Sequence, residues 1–133
     1  PLAHQPLGVR AMSHSHFDHT GHANYLKNAT WLVQENEYNS VAADTLVKKN
    51  PAVAELKKVK KLHGDYDVFG DGTVIIKYTP GHTVGHQALY VEVSGVEKPI
   101  LLTGDLYHFK ENRINKVLFL NLYKTTNNAG QMR

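Results

Sequence analysis

The sequence predicts an α+β domain of layered sheets and helices, and three observations carry this reading. Short apolar runs rich in β-branched residues end in turn chemistry, helical compositions separate the early runs, and from Tyr66 onward the pattern changes to period two. That order favours strands joined by antiparallel hairpins over a doubly wound sheet. The 133 residues suffice for one modest core, so residues 1–133 are read as a single domain.

Gly8 to Ser13 (GVRAMS) reads as a short buried strand that empties into a histidine-rich loop. His22 to Lys27 fits a short helix, and Ala29 to Gln34 (ATWLVQ) a strand. Glu35 to Leu46 has helical composition. Asn50-Pro51 is a helix start, with Asn as N-cap and Pro at the first helical position, and PAVAELKK continues it. Lys60 to Leu62 reads as a strand entering a turn at His63-Gly64-Asp65. Tyr66 to Phe69 and Thr73 to Thr79 flank Gly70-Asp71-Gly72, a hairpin signal. Gln87 to Val93 and Ile100 to Thr103 are two further strands, and beyond Asp105 the chain reads as a basic loop until a helix opening at Ala129 to Arg133.

Composition excludes several classes. No cysteine is present, so disulfides and thiolate metal sites are out and any metal must sit among imidazoles and carboxylates. That donor set suits zinc, iron or manganese. No run reaches the length of a membrane-spanning helix, so no membrane partner is expected. Lys48, Lys49, Lys57, Lys58, Lys60 and Lys61 cluster, but no stacking aromatics interleave with them, so nucleic acid is not expected either. The opening PLAHQPLG has neither an initiating Met nor the pattern of a signal peptide, so segments upstream are expected to be missing and a cytoplasmic setting is preferred.

The stretch SHSHFDHTGH packs four histidines and an aspartate into ten residues. In an extended segment His14 and His16 point the same way, two residues apart. After a turn at Asp18, Asp18 and His19 face a second position, so one loop serves two adjacent metal ions. Imidazole and carboxylate without thiolate is the donor profile of catalytic zinc. Two distant features supply partners. Pro80-Gly81-His82-Thr83-Val84-Gly85-His86 follows a strand end and presents His82, and Thr103-Gly104-Asp105 presents Asp105 from another. Each motif by itself is weak; their conjunction is not. Ser13 and Ser15 flank the histidines in a setting that speaks for ligand geometry rather than a nucleophilic triad.

Taken together, HSHFDH, TPGHTVGH and TGD resemble the metallo-β-lactamase superfamily of metal-dependent hydrolases, from Ser13 to about Arg113. SHSHFDHTGHANYL with GDLYHFKENR looks most similar to its N-acyl-homoserine-lactonase-like branch. The resemblance implies an αββα sandwich, of which this chain is an incomplete, central portion. It implies that His14, His16 and His82 hold one metal, that Asp18 and His19 hold a second, and that Asp105 bridges both. It implies one or two zinc ions, with iron or manganese as alternatives. The activity implied is hydrolysis of an ester or lactone by metal-bound hydroxide, with an N-acyl-homoserine lactone as the leading small-molecule substrate.

In that reading Asp18 is also catalytic, passing a proton to the leaving group. Tyr107 is a catalytic candidate because lactonase-like members carry a tyrosine near this place, although the spacing differs by one and puts His108 there. His86 and His108 support the ligands from outside. His4, His22 and His63 are structural or exposed, and Thr20 and Thr83 orient loops. The family pattern closes with one more histidine, and none follows His108. Two other functions stay open: β-lactam hydrolysis, with Lys110 or Arg113 receiving a substrate carboxylate, and a non-catalytic metal-binding fragment. Incomplete sheets would expose edges through which copies of the chain associate.

Overall fold

Thr30–Gln34 (TWLVQ) forms the centre of a three-stranded sheet and is buried along nearly its whole length. In the computed structural model, which describes residues 8–43, 53 and 56–115, this strand is β2. It lies between β1 (Val9–Ala11) and β3 (Val59–Leu62), and both pairings are parallel. The antiparallel hairpins expected from Tyr66 onward concern the second sheet, and for these three strands, which carried no expected direction, the pairing is parallel. Its reason is local: each link between these strands carries helix, and a helical crossover returns the chain in the same direction. The first link holds α1 (Phe17–Thr20) and a 3-10 turn (Ala23–Leu26); the second begins with α2 (Glu35–Ala43). The continuous apolar run of β2 suits a strand covered on both faces.

Alternation along β2 divides the core. Trp31 and Val33 pack with Ala23 and Leu56, against Tyr38 of α2 and Val59. Leu32 points the other way and packs with Leu62 and Ile76, against Tyr66, Val68 and Leu89 of the second sheet. One strand thus joins a helical layer to a second sheet. Burying a side chain of Leu32's size contributes about 1.5–3 kcal/mol, and Leu32 and Ile76 are each 1% exposed.

The second sheet is an antiparallel meander: β4 (Tyr66–Asp67), β5 (Val74–Tyr78), β6 (Gln87–Val91) and β7 (Ile100–Leu102). β4 stops two residues short of the predicted Phe69. The Asp67 carboxylate accepts hydrogen bonds from the amides of Phe69, Gly70 and Gly72, which takes those residues out of the ladder. Gly70 and Gly72 have φ of 78° and 80°, a conformation that glycine enters without strain. Ile100, Leu101 and Leu102 of β7 are all exposed, at 43%, 51% and 56%.

The segment after Asp105 is not the loop expected from its basic composition. Gly104–Leu106 forms a 3-10 turn and Lys110–Asn115 a helix, α3. The Asn112 side chain accepts from the Phe109 amide at 3.0 Å, closing one half of a capping box that lacks the usual Ser or Thr. The helices read at Asn50-Pro51 and Ala129–Arg133, and the end of the Glu35–Leu46 helix, lie outside the described residues, as does His4. Among the described residues no helix is long and apolar enough to cross a membrane. Within the lysine cluster, Lys60 lies 4.2 Å from the centroid of the Tyr66 ring, and Lys61 stands 3.5 Å from a Glu35 oxygen.

Candidate metal centre

Three loops meet at one edge of the two sheets: the one leaving β1, the one joining β5 to β6, and the one leaving β7. β5 and β7 run in the same direction and β6 opposes them, so the end of β5, the start of β6 and the end of β7 share that edge. Gln87 stitches the sheets together beneath it. Its backbone N–H donates to the Ser13 carbonyl at 2.8 Å. Its side-chain amide donates to the carbonyls of Met12 at 2.9 Å and Leu32 at 3.1 Å.

On this edge the predicted residues converge. Ligand atoms of His14, His16, His82 and Asp105 all lie within 4.8 Å of one another, and so do those of Asp18, His19 and Asp105. His16 Nδ1 is 2.9 Å from His14 Nε2 and 3.1 Å from His82 Nε2. The Asp105 carboxylate faces both groups. Oδ2 lies 3.3 Å from His82 Nε2 and 3.8 Å from His14 Nε2, while Oδ1 lies 3.3 Å from His19 Nε2. Asp18 Oδ2 is 3.6 Å from His19 Nε2. Asp18 and His19 reach this position because α1 begins directly after His16, and Thr20 fastens that turn by donating its hydroxyl to the His16 carbonyl at 3.1 Å.

Other side chains orient these groups. The Ser13 hydroxyl stands 3.0 Å from His14 Nδ1 and 3.2 Å from His19 Nδ1, between a member of each group. His86, 0% exposed, accepts the Asp105 backbone N–H on Nε2 at 3.2 Å. That contact leaves Nδ1 as the protonated nitrogen, which donates to Thr79 Oγ1 at 2.9 Å. His108 Nε2 is 3.4 Å from Asp105 Oδ1. Tyr107 makes no hydrogen bond or ring contact with this cluster among the described residues; the residue that reaches Asp105 is His108. Lys110 and Arg113 are exposed on α3. His22 is exposed and stacks on Tyr25, and His63 sits 3.4 Å from a Glu35 oxygen, both away from the centre.

Sequence reading missed Glu37, Gln87 and the hydroxyl role of Ser13. Gly104 carried a detectable signal. It has φ of 53°, and a Cβ there would lie 2.6 Å from Ser13 Cβ, so only glycine lets the Asp105 turn approach the histidine loop. For Glu37 the sequence offers no sign beyond a carboxylate in a first helical turn.

The electrostatics favour neutral imidazoles. Burial, then the neighbouring His16, His19, His86 and His82, push His14 down to about 2. Burial and His16 lower His82 against the pull of Asp105. Burial and His82 push His86 down to about 4, against the pull of Glu37 and Asp105. Neutral imidazole is the metal-binding form, so burial presents these nitrogens ready to ligate. With nitrogen and oxygen donors in two groups and no thiolate, the residues fit a centre for one or two divalent cations.

A stability consequence follows for the metal-free protein. The unfolded chain takes up protons on these histidines near pH 6.5 while the folded chain does not, so stability falls as pH drops below 6.5. For His86 the loss runs on to about pH 4. At about 1.4 kcal/mol per pKa unit, His86 by itself accounts for about 3 kcal/mol of it. Melting temperatures of metal-stripped protein between pH 7 and 4 should therefore fall steeply, and His86→Gln should flatten that slope. A wild-type melting temperature independent of pH over this range would contradict the assignment of neutral, buried histidines.

Comparison with known proteins identifies the family of the chain. The metallo-beta-lactamase superfamily profile matches residues 12–127, and the chain belongs to that superfamily. The N-acyl homoserine lactonase AttM of Rhizobium radiobacter is 37% identical over 129 residues, covering 85% of this chain and 48% of the relative. The N-acyl homoserine lactonase AiiA of Bacillus thuringiensis subsp. kurstaki is 36% identical over 107 residues, covering 80% and 41%. A solved N-acyl homoserine lactone hydrolase, with the product N-hexanoyl-L-homoserine bound at its catalytic metal center, superposes with a TM-score of 0.74 at 33% identity. That superposition covers 91% of this chain and 48% of the solved one. A quorum-quenching N-acyl homoserine lactone hydrolase gives a TM-score of 0.77 at 30% identity, covering 96% and 51%. The chain spans about half the length of the relatives it matches.

Proposed function

We propose that this protein is a zinc-dependent lactonase that opens N-acyl homoserine lactones. The carrying observation is the arrangement of ligand atoms into two groups that share Asp105, on a chain whose relatives are named as lactonases. In this reading His14, His16 and His82 hold one zinc, Asp18 and His19 contribute to the second, and Asp105 serves both. When bound, the metal supplies the Lewis acidity that activates water and polarises an ester carbonyl.

The protein's own residues divide the remaining work. The lactone ring opens when water oxygen bonds to the carbonyl carbon and the ring C–O bond breaks, and the departing oxygen needs a proton. In this reading Asp18 carries it, and its 57% exposed side chain, 3.6 Å from His19, supports that role. His86 holds the backbone of Asp105, and Ser13 holds the rings of His14 and His19, so both ligand groups are oriented before substrate enters. His108 supports Asp105 from the rim.

The test is a substrate panel on the purified full-length protein. Ring opening of N-acyl homoserine lactones releases an acid, which a pH indicator follows directly. Activity should vanish on chelation and return with zinc, while a chromogenic β-lactam should be turned over far more slowly. Protein carrying stoichiometric zinc that opens no lactone would overturn the proposal, and faster β-lactam turnover would transfer it to lactam hydrolysis.

A further inference from the structure

Glu37 is a carboxylate 2% exposed in the first turn of α2, outside both groups of converging ligand atoms. Its Oε1 accepts from the Ser15 amide at 2.8 Å and the Ser15 hydroxyl at 2.6 Å, and its Oε2 accepts from the Gly85 amide at 2.9 Å. Ser15 lies between His14 and His16, and Gly85 between His82 and His86. Among the described residues no lysine or arginine forms an ion pair with this carboxylate. Burying a charge is costly unless hydrogen bonds compensate it, and here the compensation comes from the two histidine-bearing loops.

We infer that Glu37 is a positioning residue that locks these two loops together and so sets the approach of His16 to His82, which are 66 positions apart in sequence and 3.1 Å apart at Nδ1 and Nε2. The inference rests on the metal-centre reading above. Gln87 ties the bases of the same loops, whereas Glu37 ties them beside the ligands themselves. A carboxylate suits the place because both its oxygens accept, and all three groups facing it donate. Glutamine offers an acceptor on one side only, and its amide N–H would oppose a backbone N–H on the other. The packing is as close as the hydrogen bonding: a Cβ on Gly85 would lie 2.3 Å from Glu37 Cβ. No hydrogen bond or ion pair links Glu37 to Asp18 or His19 among the described residues, so its direct hold is on the neighbours of His14, His16 and His82, and it reaches the other group only through the shared Asp105 and the common loop.

The experiment is zinc titration of the full-length protein against a competing chelator, with cobalt substitution to follow the ligand field of each site by absorption. Glu37→Gln should weaken the His14, His16 and His82 site by up to about 10-fold, the lower end of the range for a direct hydrogen-bond partner of a metal ligand because Glu37 holds the ligands' neighbours, and alter its cobalt spectrum. Zinc affinity at the Asp18 and His19 site, which shares only Asp105 with the first, should fall less. Ser15→Ala removes one of the three donors and should give a smaller loss at the same site, and it carries the test where Glu37→Gln does not fold. A purely stabilising Glu37 would lower the melting temperature of the metal-free protein and leave zinc affinity at both sites as in the wild type; that result overturns the inference. Wild-type protein that binds no zinc overturns the metal-centre reading, and this inference with it.

Discussion

On the proposed lactonase reading, replacing Asp105 with asparagine lowers lactone hydrolysis by more than about 100-fold and reduces bound zinc. The reason is that both carboxylate oxygens are in use. Oδ2 faces His14 and His82, and Oδ1 faces His19 and His108. Asparagine keeps one acceptor, replaces the other with an N–H donor, and removes the negative charge that two neighbouring cations require. Loss of a hydrogen-bond partner behind a metal ligand already costs about 10–100-fold, so loss of a ligand that serves both positions must exceed that range. Steady-state kcat/KM at saturating zinc, together with metal content by mass spectrometry, checks the prediction. Asparagine protein that retains two zinc ions and near-wild-type kcat/KM would remove Asp105 from the centre.

Gly85→Ala carries the largest expected loss of stability. The added methyl would fall 2.3 Å from Glu37 Cβ, 2.6 Å from the Glu37 amide nitrogen and 2.9 Å from its Cα. Two of these atoms belong to backbone in the first turn of a helix and cannot rotate away. Inserting a methylene into a packed core costs about 1–3 kcal/mol when side chains can adjust. Here the helix or the histidine loop must shift, so the loss should be about 3 kcal/mol or more. By the usual scaling that lowers the melting temperature by about 10 °C or more. Thermal melts of wild-type and Gly85→Ala protein under identical metal conditions decide it. A melting temperature within about 2 °C of wild type would mean that the Gly85 loop and the first turn of α2 do not approach as described. Gly104→Ala tests the same principle where a side chain is the obstacle. Its Cβ would meet Ser13 Cβ and Oγ at 2.6 and 2.9 Å, and its φ of 53° adds backbone strain.

How much of this was legible in advance depended on the range of the interaction involved. β2 was readable because TWLVQ combines β-branched, aromatic and apolar residues in one short run. The β4–β5 hairpin was readable from Gly70-Asp71-Gly72, although its first strand was overdrawn because Asp67 spends its side chain on the turn. α3 was not readable: its start is secured by Asn112 reaching back to Phe109, without the usual capping sequence. The parallel pairing of β1, β2 and β3 was hidden as well, because pairing direction depends on how crossover segments pack and not on the strands' own composition.

The candidate ligands were legible for a different reason. Imidazole and carboxylate chemistry is a property of single residues, and the spacing of His14, His16, Asp18 and His19 is short enough to be written in one loop. The sequence by itself therefore determined the donor set, the exclusion of thiolate chemistry and the superfamily, which its motifs carry from Ser13 onward. The tertiary structure alone decided which atoms meet. It brought His82 Nε2 to His16 Nδ1, turned the two oxygens of Asp105 toward different groups, and chose His108 over Tyr107 at the rim. It also revealed Glu37, whose place depends on a helix, a strand end and two loops at once. A long-range hydrogen bond depends on the whole backbone path between its partners, and no local pattern of residues encodes that path.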